Sequence, residues 1–149
     1  MLSQIDEFVN WVRRRNPQAR TWRDYSYDLQ QFAQVTGDIP LASVTIRHID
    51  AFIQQQTDQG RKATTRNRRL AAVQALYTYW MDEDTSLVCP ILPHRHHARE
   101  PQPLPRPVQE EDLQKFFTVI SDPRDRAMFI LMLRCGLRIS EVAAMRLTD

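Results

Sequence analysis

The chain of 149 residues has little glycine, little cysteine and no long apolar run. Its glycines number only three, and the long periodic apolar patterns between them favour helices. Without a stretch of about 18 apolar residues, a membrane span is not expected. The first residues lack a basic region followed by an apolar one, which argues against a signal peptide. Cys89 and Cys135 lie in dissimilar contexts, and we expect both to be reduced thiols in a cytoplasmic protein.

The formal net charge of +2 conceals an uneven distribution along the chain. Residues 1–80 hold eleven Lys and Arg against seven Asp and Glu, whereas the remainder holds nine against eleven. A basic N-terminal half suits a polyanionic partner.

Residues 1–84 have the apolar periodicity of four amphipathic helices. The predicted helices cover about residues 2–15, 22–36, 46–59 and 64–81. Thr21 and Thr45 are the expected N-caps of the second and third, and Gly37 and Gly60 are the expected ends. Each apolar stripe is too narrow to be buried alone, so the helices should pack into one bundle. The predicted inward residues are Leu2, Ile5, Val9, Val12, Tyr25, Leu29, Phe32, Ile46, Ile49, Phe52, Ile53, Leu70, Val73, Tyr77 and Trp80.

Residues 85–107 are rich in proline, and residues 108–149 are helical again. The proline density opposes helix and central strand and favours an extended, semi-rigid linker between two domains. After it, acids at 110–112 suit the first turn of a helix. The next helix, Arg124 to about Cys135, is apolar nearly all round, which predicts burial on every side. About forty residues cannot bury such a helix, so we expect this domain to be incomplete.

A metal site is not expected in the connector. Cys89, His94, His96 and His97 fit no standard tetrahedral zinc spacing, and prolines interrupt the segment. A solvated, partly cationic linker is the simpler interpretation.

The stretch from Gly136 to Val142 contains the most specific chemistry. Gly136 permits a turn, after which Arg138 opens a short helix. A guanidinium beside free backbone amides at a helix N-terminus suits a phosphate oxygen, and it stays charged near neutral pH. Phosphodiester transesterification needs that charge where the phosphorus gathers negative charge. The alternative is that Arg138 and Glu141 form an i, i+3 ion pair on a solvated helix.

A second candidate site lies at the start of the fourth helix. Cations gather there beside two hydroxyl donors: Arg61, Lys62, Arg66, Arg68 and Arg69, with Thr64 and Thr65. They suit contacts to DNA phosphates, and Arg23 at the start of the second helix is a further candidate. The spacing of Arg66 from Leu70 puts Arg66 near the inner face and makes it doubtful. The alternative is a solubilising charged face.

Four pieces, in order and at suitable spacing, resemble the tyrosine recombinases, the phage-integrase and Xer-type family. They are residues 21–32, residues 64–70, Pro103-Leu104-Pro105 with the acidic helix that follows, and residues 124–141. The resemblance implies a mainly α chain: a four-helix SAM-like core-binding bundle, a Pro-rich linker, and the first helices of a truncated α/β catalytic domain. It also implies that helices two and four of the bundle contact double-stranded DNA.

Arg138 is implied to be the first catalytic arginine, supported by Glu141. Intact relatives cut and rejoin DNA through a phosphotyrosyl intermediate, without metal or nucleotide cofactor, and act as tetramers. The later catalytic residues, including the tyrosine, are missing here, so we expect a DNA-binding fragment that is not itself an enzyme. We expect it to be a monomer or to self-associate weakly.

Two rival interpretations lack recombinase ancestry. One is a helical protein-interaction module that docks through residues 127–133. The other is a helix-turn-helix DNA-binding regulator, for which the loop around residues 60–62 is long.

Overall fold

The computed structural model describes residues 1–100, 104 and 106–146. Across these residues the chain is helical, with no strand, which confirms the mainly α prediction. The chain divides into two compact units, Met1–Gln102 and Pro103–Asp149. The helices are α1 Leu2–Arg15, α2 Thr21–Thr36, α3 Ile46–Asp58, α4 Ala63–Met81, α5 Pro93–His96, α6 Glu110–Val119, α7 Pro123–Cys135 and α8 Ile139–Ala144, with a 3-10 turn at Leu41–Ser43.

Helices α1 to α4 pack around one apolar core in the first unit. Phe32 of α2 meets Phe52 of α3 edge to face, with ring centres 5.2 Å apart. The fully buried core side chains include Ile5, Phe8, Leu29, Phe32, Ile49, Phe52, Leu70, Val73, Leu76 and Tyr77. The predicted bundle is therefore present.

The inner stripe of α1 differs from the prediction at Leu2, and at Phe8, which is more buried than the predicted Val9 and Val12. Leu2 is exposed, whereas Met1 and Phe8 are buried. Met1, Ile5 and Phe8 recur at spacings of four and three, and Leu2 lies one position off that stripe.

The predicted helix ends agree with the structure more often than the predicted starts. Gly37 and Gly60 follow α2 and α3 with positive φ of 80° and 68°. Thr45 is the N-cap of α3, where its backbone N–H donates to Nδ1 of His48. Thr21 is not an N-cap, because α2 begins at Thr21 and its N-cap is Arg20, without a side-chain cap.

Part of the connector packs against the bundle, which corrects the prediction of a solvated linker. Leu87 and Ile91 are buried against the bundle core, and Pro93 begins the short helix α5. Proline is tolerated there because the first helical N–H needs no intrahelical acceptor. We call residues 87–98 the docked segment. The predicted motif at Pro103 and Pro105 lies outside the described residues.

The second unit contains α6, α7 and α8. Asp122 caps α7 by accepting hydrogen bonds from the backbone N–H of Arg124 and Asp125. Gly136, with φ 67°, ends α7. The burial that was predicted around α7 is not present, since none of its residues is buried. Its exposed apolar side chains are Phe129, Ile130 and Leu133.

Two properties bear on the earlier expectations about thiols and membranes. Cys89 is half-buried in the first unit, Cys135 is exposed in the second, and both are free thiols. None of the helices in the described ranges combines the length and apolarity that a bilayer crossing requires.

Candidate nucleic-acid interface

The first turn of α4 presents cations and hydroxyls without an acid. Lys62 is the N-cap with extended backbone, and no side chain caps the turn. Thr64 and Thr65 follow as the second and third helical residues, and Thr64, Arg61 and Lys62 are exposed. The first backbone N–H groups of a helix have no intrahelical acceptor, and the helix dipole adds positive potential there. We call residues 61–65 the basic turn.

Arg68 forms an ion pair with Asp28, an acidic residue that was not among the candidates from the sequence. Its Nη1 and Nη2 lie 2.5 and 3.0 Å from the two carboxylate oxygens of Asp28 on α2. The Asp28 side chain is 1% exposed and that of Arg68 is 50% exposed. Burial raises the pKa of Asp28, although Arg68 and Arg69 oppose the rise. Arg68 therefore has a side chain that is half exposed and a charge that is already paired.

Arg69 is a correction to the predicted DNA-binding set. Its side chain is 3% exposed, and Nε lies 3.5 Å from the Asp28 carboxylate. Its Nη1 donates to Gln56 on α3, and its guanidinium lies 5.6 Å from the ring centre of Tyr27. A guanidinium buried between three helices cannot reach a phosphate, so the residue joins α2, α3 and α4.

Arg66 also faces the bundle, in keeping with its spacing. It is half-buried, and its Nη1 donates to the Thr57 hydroxyl near the end of α3. Arg66 is thus engaged with the neighbouring helix, whereas Arg61 and Lys62 remain on the surface.

Arg23 is exposed at the start of α2, where it stacks on an aromatic ring. The guanidinium carbons of Arg23 and Arg13 lie 4.8 and 5.2 Å from the ring centre of Trp22. Such stacking restricts a long side chain without neutralising its charge. The corner between α1 and α2 therefore holds ordered cations.

Arg138 and Glu141 form the ion pair that was the alternative interpretation of their motif. The Arg138 backbone N–H donates to Glu141 at 2.7 Å, and the guanidinium donates to the other carboxylate oxygen at 3.0 Å. Arg138 is the N-cap of the short helix α8, and its side chain is 80% exposed. Both residues are solvent-accessible, and the positive charge is partly offset by its neighbour.

One histidine of the connector, His96, has structural contacts. His96 is buried, and its Nδ1 accepts a hydrogen bond from the Leu92 backbone N–H at 2.8 Å. Its Nε2 lies 3.4 Å from the Asp50 carboxylate. In the described ranges, no three or more His, Cys, Asp or Glu side chains are grouped to hold a metal ion.

Sequence reasoning missed three residues around the α2–α4 surface. Asp28 and Tyr27 hold the arginines of α4, and Asn67 binds the docked segment through its side-chain amide. A signal for Asp28 was available, because it lies four residues before Phe32 and therefore on the inner stripe of α2. An acid on one inner stripe and an arginine on another indicate a buried ion pair.

Comparison with known proteins gives consistent matches. Residues 3–84 match the family model described as phage integrase, N-terminal SAM-like domain. The chain is 29% identical over 150 residues to the tyrosine recombinase XerC of Staphylococcus haemolyticus (strain JCSC1435), covering 95% of this chain and 50% of that protein. It is 30% identical over 161 residues to the tyrosine recombinase XerD of Proteus mirabilis, covering 97% and 49%.

The matches cover nearly all of this chain but only about half of each relative. No solved structure matches it significantly. The family model covers more than half of the chain, which removes the two rival interpretations that lacked recombinase ancestry. The chain belongs to the tyrosine recombinase family, and its residues 3–84 form the phage integrase N-terminal SAM-like domain.

Proposed function

We propose that this chain binds double-stranded DNA through α2 and α4, as part of a site-specific recombinase. The observation that carries the proposal is the basic turn: the exposed, acid-free start of a 19-residue helix, with Arg61 and Lys62 beside hydroxyl donors. Phosphate contacts of this kind supply most of the affinity for a duplex and fix the position of a protein along it.

The ion pair between α2 and α4 supports a surface shared by both helices. Tyr27 and Asp28 on α2 contact the arginines of α4, so this part of α2 lies beside Arg68. Arg23 lies one turn before Tyr27, and Thr64 lies one turn before Arg68. The Asp28 contact therefore joins the two helices to which we assign the exposed cations.

Arg69 contributes to this function indirectly, by joining the helices that present the cations. Arg68 has half of its side chain exposed and can share a donor with a phosphate while it holds Asp28. Arg23, Arg61 and Lys62 are the cations on this surface that we assign to direct phosphate contacts, with Thr64 and Thr65 as neutral donors.

The test is the salt dependence of duplex binding by variants of the basic turn. For Lys62→Gln and Arg61→Gln we expect weaker binding to every DNA sequence. In a plot of log K against the logarithm of the salt concentration, each replacement should make the slope shallower by about one. The control is Arg47→Gln, which removes the same charge from the exposed first turn of α3, at the far end of that helix from the basic turn. Equal effects of all three variants, or no duplex binding at about 0.05 M salt, would overturn the proposal.

We further propose that Arg138 is the first catalytic arginine of the recombinase reaction. In the described conformation Arg138 Nη1 donates to Glu141, and the other N–H groups of the exposed guanidinium are available to a phosphate oxygen. Glu141 still holds the Arg138 backbone N–H through its second oxygen, which orients the start of α8.

Strand cleavage by the chain alone is not expected. Its four tyrosines, Tyr25, Tyr27, Tyr77 and Tyr79, all belong to the bundle, and Tyr77 is buried with its hydroxyl donating to Leu41. Incubation with an end-labelled nicked duplex should give no covalent adduct on a denaturing gel. An adduct that forms with the unaltered chain would refute this expectation.

The second unit favours weak self-association over a stable oligomer. Its surface has a groove of about 740 Å³ that is lined by apolar residues (Leu113, Phe117, Ile130 and Leu133) and by polar or charged ones (Glu110, Gln114, Thr118, Arg126 and Arg134). Exposed apolar surface of this kind promotes association. Sedimentation should give a monomer at low concentration and a rising mass at high concentration, and Ile130→Gln should reduce that rise. A tetramer at low concentration would contradict the proposal.

A further inference from the structure

The side chain of Asn67 makes a two-point contact with the docked segment. Its Nδ2 donates to the Ala98 carbonyl at 2.8 Å, and its Oδ1 accepts from the Ala98 backbone N–H at 3.0 Å. A side-chain amide that satisfies both polar groups of one residue fixes that residue in position and orientation. Nδ2 also lies 2.7 Å from a carboxylate oxygen of Glu100.

The same segment is held one turn earlier by α3. Arg95 makes two hydrogen bonds to the Asp50 carboxylate, at 3.1 Å from Nε and 2.5 Å from Nη2. His96 is buried beside Asp50. The backbone is therefore anchored at residues 95, 96 and 98, and residue 99 leaves from a defined point.

That point lies beside the basic turn. Asn67 is three residues after Thr64, and residues at this spacing are neighbours on a helix surface. Arg99 directly follows the clasped Ala98 and is exposed. Across the described residues, the Arg99 guanidinium has no ion-pair partner.

We infer that Asn67 is a positioning residue that holds Arg99 beside the basic turn, so that Arg99 adds one phosphate contact to the DNA-binding surface. The inference rests on the proposed function, and it extends the surface to a residue outside the four-helix bundle. Arg95 is a weaker candidate than Arg99 because Asp50 offsets its positive charge. Glu100 opposes the contact through its negative charge, while its hydrogen bond to Asn67 helps to hold the segment.

The test is a double-mutant cycle with Asn67→Ala and Arg99→Gln, measured as the affinity of the full chain for a short duplex of mixed sequence. At about 0.1 M salt, Arg99→Gln should lower the affinity roughly five- to tenfold and reduce the salt slope by about one. Asn67→Ala in the unaltered chain should lower the affinity by a similar or smaller factor. In a chain that already carries Arg99→Gln, the same replacement should lower the affinity less than about twofold.

Two controls separate positioning from damage to the fold. Tryptophan fluorescence should show that Asn67→Ala leaves the unfolding transition of the bundle nearly unchanged. Glu100→Gln keeps an acceptor for Asn67 and removes the negative charge, so it should raise the affinity rather than lower it.

The outcomes distinguish this inference from the proposed function. If Lys62→Gln weakens binding while Arg99→Gln leaves the affinity and the salt slope unchanged, the inference falls and the proposed function stands. An equal loss from Asn67→Ala with and without Arg99 would also overturn the inference. If the unaltered chain binds no duplex, both fall.

Discussion

Replacement of Asp28 by leucine tests how the bundle holds buried charge. The carboxylate accepts two hydrogen bonds from Arg68 and lies 3.5 Å from Nε of Arg69. In Asp28→Leu, both guanidiniums lose their counter-ion. Arg68 is half exposed and can turn to water, but Arg69 is 3% exposed and cannot be hydrated without movement of a helix.

The expected loss follows from the cost of an unpaired buried charge. Removal of one partner from a buried ion pair costs about 3–5 kcal/mol, and we expect about 3 kcal/mol because one of the two arginines can be hydrated. Burial raises the pKa of Asp28 in spite of both arginines, so desolvation offsets much of the attraction within the network. The double variant Asp28→Leu with Arg69→Met should therefore recover to within about 1 kcal/mol of the unaltered chain.

The assay is urea unfolding followed by tryptophan fluorescence. Trp11, Trp22 and Trp80 all belong to the first unit, so the signal reports on the bundle. With a slope of about 1–3 kcal/mol per molar urea, the midpoint of Asp28→Leu should fall by roughly 1–3 M. Asp24→Asn is the control, because Asp24 is exposed and forms a loose ion pair with Arg20 at 3.8 Å. The free energy of unfolding of this variant should stay within about 0.5 kcal/mol of that of the unaltered chain. A loss below about 1 kcal/mol for Asp28→Leu, or additive losses in the double variant, would refute the reasoning.

Three further predictions concern single contacts. Tyr77→Phe removes a buried 2.9 Å hydrogen bond to the Leu41 carbonyl and should cost about 1–2 kcal/mol in urea unfolding. Burial raises the pKa of Tyr77, so the unaltered chain should lose stability as pH rises above 10, where the unfolded tyrosine ionises, and the variant should lose less. Burial lowers the pKa of His96, so the imidazole binds a proton more weakly in the folded chain than in the unfolded chain. The protection factor of the Leu92 amide, which donates to His96, should therefore fall as pH drops below 6.5. Unchanged protection down to about pH 5 would contradict this prediction. Glu141→Ala should remove about 1 kcal/mol of capping and reduce amide protection in α8, whereas Glu141→Gln should preserve it.

Most helix bounds of this chain could be predicted because their signals are local. Apolar spacing within one helix, glycines at 37 and 60 and the N-cap at Thr45 involve only neighbouring residues. The docked segment could not be predicted in this way. Its prolines indicate an extended linker, but Leu87, Ile91 and His96 are buried by helices that precede them by many residues.

The candidate site was predicted in part, for a related reason. The cluster of cations at the start of α4 was visible, and Arg61, Lys62 and Thr64 are exposed. Arg69 was placed among them by proximity in sequence, although it lies four residues before Val73 on the inner stripe. Its burial argues against the predicted phosphate contact, which was based on charge and gave too little weight to helical position.

The sequence by itself determined the family, the helices and the chemical groups that can meet a phosphate, because these depend on residue type and short spacing. Only the tertiary structure decided which of those groups face water. Arg69 is buried in contact with Asp28 and Gln56, which belong to other helices, and Ala98, the neighbour of Arg99, is held by the amide of Asn67. Burial and pairing depend on residues brought together from distant parts of the chain, and local patterns do not contain that information.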